Sequence, residues 1–316
     1  MAGASRGIGL AIARAIAQAG ARTVLAARSE DALGQEAAAL RAAGCDAQAL
    51  PLDVTDSASI AAAAAAEPYD ILVNVSGTNL RKRFEDYTPA EYERIMRTNL
   101  DGMVEVTREV GRRMKERVER GEAKGAKIIQ IGSITSVLVL PYLSVYGMTK
   151  SALWGLTRAL AAEWAPYNIQ VNCIGPGFIE TDLTREAWRP EKMRAWLRGA
   201  QSNPRMGTPE DIAPLAVFLS GAGSDYITGQ LIMVDGGHST AFAARVSSGP
   251  LGAAPPDPRE RARRTALPRA GPEDARDGQA AGDPRAALSF VSHQRGSRVL
   301  RARASGLAGG RYLHLY

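Results

Sequence analysis

Gly3-Ala-Ser-Arg-Gly7-Ile-Gly9 runs straight into an apolar-periodic helix, Ile8 to Ala19. A glycine-rich turn that opens a helix turns backbone N–H groups and the positive end of the helix toward one point, which suits a pyrophosphate. Downstream the chain alternates short apolar strands with helices, the pattern of a doubly wound, Rossmann-type parallel sheet covered on both faces. Strands are expected at 23–27, 47–50, 71–75, 127–131, 169–173 and 231–234, with helices at 30–43, 58–66, 88–117 and 145–164. Thr88-Pro-Ala-Glu91 and Thr208-Pro-Glu-Asp211 read as capping boxes with proline at the first helical position. In such a sheet the ligand crevice lies at the C-terminal ends of the strands.

A second signal stands far along the chain. In Tyr146-Gly-Met-Thr-Lys150 the phenol and the ammonium are four apart, on one helical face. A nearby cation favours phenolate and would bring the tyrosine from its usual ~10 toward working range. Ile-Ile-Gln-Ile-Gly-Ser133 reads as a buried strand that ends in a hydroxyl, placed to hold a carbonyl oxygen beside Tyr146. Alone, Tyr-x-x-x-Lys is common in helices, with the tyrosine half-buried and the lysine solvated. The glycine turn, in the right order and spacing, raises its weight.

With Asn74-Val-Ser-Gly77 between them, these motifs resemble the short-chain dehydrogenase/reductase family over residues 1–239, read as a single domain. The resemblance implies Ser133, Tyr146 and Lys150 as catalytic residues of an enzyme that interconverts a ketone and a secondary alcohol with NAD(P)(H). It adds Asn99 as the holder of a relay water; a helix-internal polar contact or a kink is the structural alternative. It also implies a homotetramer or homodimer. Gly3, Ser5, Arg6, Gly7, Ile8 and Gly9 would bind the cofactor, with Asp53 at the adenine and Asn74 and Gly77 as the ribose-side wall. Tyr146 and Lys150 would also reach the cofactor, and Pro176, Gly177, Ile179 and Thr181 would hold the nicotinamide carboxamide; a plain Pro-Gly turn is the alternative for that segment. Asn74-Val-Ser-Gly77 departs from the commoner Asn-Asn-Ala-Gly but keeps small residues.

Cofactor choice turns on the end of the second strand. Ala27 stands where NAD-selective relatives often carry Asp, Arg28 follows, and Arg6 adds a second positive charge, so NADP(H) is expected over NAD(H). The lesser alternative for either arginine is a solvated surface charge. For the substrate, Arg81-Lys82-Arg83 offers a carboxylate partner near the crevice mouth, or is a solvated charge run. Thr135, Tyr142, Phe178 and Trp188 are expected to line the pocket. The wording of 78–82 and 163–172 is similar to gluconate 5-dehydrogenase-like and tropinone reductase-like branches, and the general pattern also fits 3-oxoacyl-carrier-protein reductases. A sugar acid or polyol is the favoured substrate.

The sequence begins at Met1, two residues before Gly3, so the apolar strand expected to feed the glycine turn is missing, and Ala2 stands where the family usually has Thr. Either the coding start is placed too far downstream or the chain is naturally shortened; the first is preferred, since a missing central strand would forfeit more burial than ~5–15 kcal/mol of stability can absorb. An inactive nucleotide-binding protein is the alternative from another class.

The net charge of +6 is uneven. Residues 241–316 hold thirteen Arg, no Lys and six acids, so the tail carries +7 and the body −1. The body's charge therefore gives no sign of a nucleic-acid partner. The tail (240–316), with seven prolines and much Gly and Ala, is expected to be disordered, and reads as out-of-frame or readthrough sequence or as a basic arm. Cys45 and Cys173 have no metal-ligand spacing and fit a reducing, cytoplasmic setting. No apolar run approaches the ~20 residues of a membrane span.

Overall fold

The computed structural model describes residues 1–181 and 184–240, and the expected disordered tail from about Ala241 lies outside the described residues. Helix α1 (Gly7–Gln18) leads to β1 (Thr23–Ala27), α2 (Glu30–Ala42), β2 (Ala47–Pro51), α3 (Ser57–Ala65) and β3 (Ile71–Asn74). Then come α4 (Pro89–Met96), α5 (Gly102–Glu119), β4 (Ala126–Ile131), α6 (Ser144–Glu163) and β5 (Ile169–Pro176). The short α7 (Arg185–Trp188), then α8 (Glu191–Ala200), α9 (Pro209–Ser220) and β6 (Leu231–Val234) complete the described part. All strand pairs are parallel: β1 with β2 on one side, and β3-β4-β5-β6 on the other. Strand β5 is buried along its whole length, as a strand covered on both faces must be.

The sheet is in two pieces, and Met1 and Ala2 join them. Ala2 makes parallel bridges to both Ala26 and Asn74. Its N–H donates to the Val73 carbonyl at 3.0 Å, its carbonyl accepts from Val75 at 3.0 Å, and the Met1 carbonyl accepts from Ala26 at 2.9 Å. The two residues therefore do the work of the strand's C-terminal end, where the glycine turn leaves the sheet. Further back, an apolar slot lies between β1 and β3, lined by Val24, Leu50, Ile60, Ile71, Leu72 and Val106 among others. The Met1 amine is bonded to the Val24 carbonyl at 2.7 Å, and burial lowers its pKa to about 5.

Helix starts follow their caps. Thr88 Oγ1 accepts from the Glu91 N–H at 3.3 Å while the Glu91 carboxylate accepts from the Thr88 N–H at 2.9 Å, and Asp211 accepts from the Thr208 N–H at 2.7 Å. The single helix expected over 88–117 is instead α4 and α5, joined by a π-turn at Arg97–Asp101. Apolar periodicity runs through the turn unbroken, so the sequence pattern does not mark it. Strand β5 extends past Cys173 to Pro176 because Gly175 and Pro176 align with Met233 and Val234. No helix among the described residues is long and apolar enough to cross a membrane.

Candidate active site

The glycine turn sits where β1 and β3 come closest. A Cβ on Gly9 would lie 2.0 Å from the Gly3 carbonyl oxygen, and Gly3 takes φ +89° against the Ser76 backbone. Gly7 faces Thr181, whose Cγ2 is 3.5 Å from where a Cβ would be. The turn thus meets the β5–α7 segment across a narrow gap, and α1 starts at Arg6 with no side-chain cap and no acid in its first turn. A helix N-terminus left in that state fits a dinucleotide pyrophosphate. On the adenine side, Asp53 accepts from the Thr55 N–H at 2.9 Å and from its hydroxyl at 2.8 Å. These bonds, with smaller contributions from Arg28 and Arg97, hold its carboxyl below the usual range. Both Arg28 and Arg6 are exposed.

The reactive groups converge at the C-terminal edge of β3, β4 and β5. Ser133 follows β4, and its Oγ accepts the Thr135 N–H at 3.1 Å. Tyr146 and Lys150 come from the first turns of α6. Lys150 is 3% exposed and donates to the Ile131 carbonyl at 2.8 Å, with Nζ 5.7 Å from the centre of the Tyr146 ring. A Cβ on Gly77 would lie 3.6 Å from Asn99 Oδ1 and 3.7 Å from Lys150 Nζ, so β3's loop, the π-turn and α6 meet there.

Charges in this cluster differ from the expectation. Burial pushes the Tyr146 phenol up, opposed only by its hydrogen bond with Ser133. Burial also lowers Lys150 to about 8, with Cys173 a small opposing influence. Burial therefore sets the direction of the Tyr146 shift, against the expectation of a phenol drawn down by Lys150.

Two of the expected site residues are anchored by buried or part-buried hydrogen bonds. The Asn99 amide accepts from the Thr78 N–H at 2.7 Å and donates to the Thr78 carbonyl at 2.8 Å, with a longer bond to Thr149 Oγ1 at 3.5 Å. It braces the loop after Asn74-Val-Ser-Gly77. Asn74 donates to Thr107 at 2.8 Å and Gln130 at 3.2 Å in a buried network between the sheet and α5.

Beyond β5, Pro176 ends the strand, Gly177 packs under Asp235, and Ile179 bridges Gly207. Thr181 is tied to Thr184. Phe178 is the hub of an aromatic group, with Trp188 at 5.0 Å, Trp196 at 5.4 Å and His238 at 4.9 Å, all edge-on. Trp196 and His238 escaped the sequence reading. Trp196 lies on the strongly amphipathic α8, a signal open to inspection, whereas His238 is brought in only by the turn after β6. Just before α6, Tyr142 has φ +70°, and Arg81 lies 5.8 Å over its ring. A bulky residue held in the left-handed region is costly and clusters at functional sites.

A family model described as enoyl-(acyl carrier protein) reductase matches residues 3–239. The chain is 35% identical over 240 residues to gluconate 5-dehydrogenase of Gluconobacter oxydans, covering 74% of this chain and 91% of that protein. It is 38% identical over 244 residues to galactitol 2-dehydrogenase (L-tagatose-forming) of Cereibacter sphaeroides, covering 75% and 92%. Among solved structures it resembles gluconate 5-dehydrogenase from Burkholderia cenocepacia J2315 in complex with NADP and tartrate, with a TM-score of 0.72, 36% identity and coverage of 76% and 94%.

Proposed function

Because the chain belongs to the short-chain dehydrogenase/reductase family, we propose that it interconverts a ketone and a secondary alcohol on a sugar acid or polyol, with NADP(H) as the redox partner. The observation that carries this reading is the convergence of Ser133, Tyr146 and Lys150 on one edge of the sheet, facing the glycine turn across Gly77. NADP(H), when bound, would supply hydride in reduction and accept it in oxidation. Ser133 and Tyr146 hold the substrate oxygen between two hydroxyls, and Tyr146 gives it a proton in reduction or takes one in oxidation. Lys150, fixed on the Ile131 carbonyl, keeps a positive charge beside the phenol and reaches toward Gly77 and the cofactor ribose. The reading as an inactive nucleotide binder gains no support, since the chain matches the family model over residues 3–239 and its relatives include dehydrogenases and reductases.

Arg81 supports an acidic substrate. Among the described residues it has no carboxylate within ion-pair distance, whereas Lys82 is bonded to Glu91 at 2.9 Å. A guanidinium laid over Tyr142 at the pocket rim suits a sugar-acid carboxylate. The alternatives are a 3-oxoacyl-carrier-protein substrate and a tropinone-like ketone. The same reading has a cytoplasmic enzyme assembled as a homotetramer or homodimer. NADPH oxidation by the purified chain against ketogluconates, ketohexitols, tropinone and acetoacetyl thioester tests it: preference for the thioester or tropinone overturns the substrate class, and no turnover with any ketone overturns the reaction.

Cofactor selection has its own test. Ala27→Asp introduces an acid beside Arg28 where a 2′-phosphate would sit. The ratio of kcat/KM for NADPH over NADH should fall at least ~10-fold, the size of one lost charge-assisted contact of ~1.5–3 kcal/mol. An unchanged ratio would remove Arg28 from the selection.

A further inference from the structure

We infer that Thr135 selects substrates that carry a hydroxyl on the carbon next to the reacting one, so that the enzyme acts on α-hydroxy ketones and vicinal diols in preference to simple ketones and alcohols. The inference rests on the ketone–alcohol reading above and narrows it.

Thr135 lies in the single turn Ile134–Ser136 that follows Ser133. Nearly every polar group in that turn has a protein partner. The Thr135 N–H donates to Ser133 Oγ at 3.1 Å, and its carbonyl accepts from Ser151 Oγ at 3.4 Å. Ser136 Oγ accepts from the Ser133 N–H at 3.2 Å and donates to the Lys150 carbonyl at 3.0 Å. The exception is the Thr135 hydroxyl: the residue is 6% exposed and its Oγ1 has no hydrogen-bond partner among the described residues. A buried hydroxyl without a partner is destabilising, and native proteins keep few of them. Valine would fill the same space without that cost, so the hydroxyl calls for a ligand.

Its position names the ligand. The Thr135 main chain is within hydrogen-bond distance of the hydroxyl that holds the substrate oxygen, and its Cβ lies 3.7 Å from where a Cβ on Gly147 would be, against the turn that carries Tyr146. A substrate oxygen held by Ser133 and Tyr146 puts the adjacent carbon's substituent beside Thr135. A hydroxyl there gives and accepts a hydrogen bond with Oγ1, whereas a hydrogen or methyl group leaves Oγ1 unpaired. Sites built to bond a substrate hydroxyl reject analogues that lack it far more strongly than apolar pockets reject an extra methylene.

Acetoin and 2-butanone differ only in this hydroxyl and serve as the matched pair, with NADPH consumption as the readout. The native chain should favour acetoin at least ~10-fold in kcat/KM. Thr135→Val should bring that ratio close to one and raise the thermal midpoint, while Thr135→Ser should restore the ratio. A ratio that is the same in the native chain and in Thr135→Val, with both ketones reduced, overturns the inference and leaves the reductase reading standing. Reduction of neither ketone by the native chain overturns the inference, and reduction of no ketone at all in the wider panel overturns the reading beneath it.

Discussion

Tyr146→Phe should reduce its ketone at least ~100-fold more slowly than the native chain while unfolding at the same temperature, because the change removes one proton donor and no buried carbon. The ring keeps its place on α6, and the Ser133 hydroxyl alone cannot deliver a proton to the forming alkoxide. Steady-state NADPH consumption and a thermal melt, run side by side, check both halves. Turnover within a few-fold of native would remove Tyr146 from the chemistry. The pH profile adds detail: with the phenol pushed up and Lys150 lowered to about 8, Lys150 is the first of the pair to lose its proton as pH rises. The rate of reduction should therefore decline through about pH 8 and not near the usual tyrosine range.

Gly9→Ala should cost about as much as the worst core overpacking, ~3 kcal/mol, and abolish NADPH binding at concentrations that saturate the native chain. Its Cβ would sit 2.0 Å from the Gly3 carbonyl oxygen, and that atom belongs to a backbone fixed on both sides by hydrogen bonds from Gly3 and Ala4 to Ala26. Relief requires the turn to open, which moves the N–H groups that would face a pyrophosphate. Gly34→Ala is the control. It lies inside α2 with nothing within 4 Å of the new methyl group, and should stabilise by ~0.5–1 kcal/mol through helix propensity alone. Equal effects at the two positions would contradict the close packing of the turn.

The elements were legible where local chemistry decides them. Thr88 and Thr208 open helices because their caps are written within four residues, and β4 is a buried strand because Ile128, Ile129 and Ile131 leave it no polar face. The positions of Ser133, Tyr146 and Lys150 could be read from spacing on one strand and one helix. What was not legible depends on distant partners. The π-turn at Arg97–Asp101 and the use of the Asn99 amide by Thr78 come from contacts 21 residues apart in sequence. The direction of the Tyr146 shift required knowing how deeply α6 is covered. His238 joins Phe178 only through the turn that follows β6, and no periodicity announces it.

Ala2 bridges Ala26 of β1 and Asn74 of β3, so the glycine turn is held by both groups of strands. A dinucleotide on that turn would span the two groups, with Arg28 and Asp53 on one side and Gly77 and Lys150 on the other. Cofactor binding then works as a clamp on local opening, and amide hydrogen exchange should report it: Val24 and Leu25 slow markedly when NADP is added, while Ile128 and Ile129, deep in the larger piece, change little.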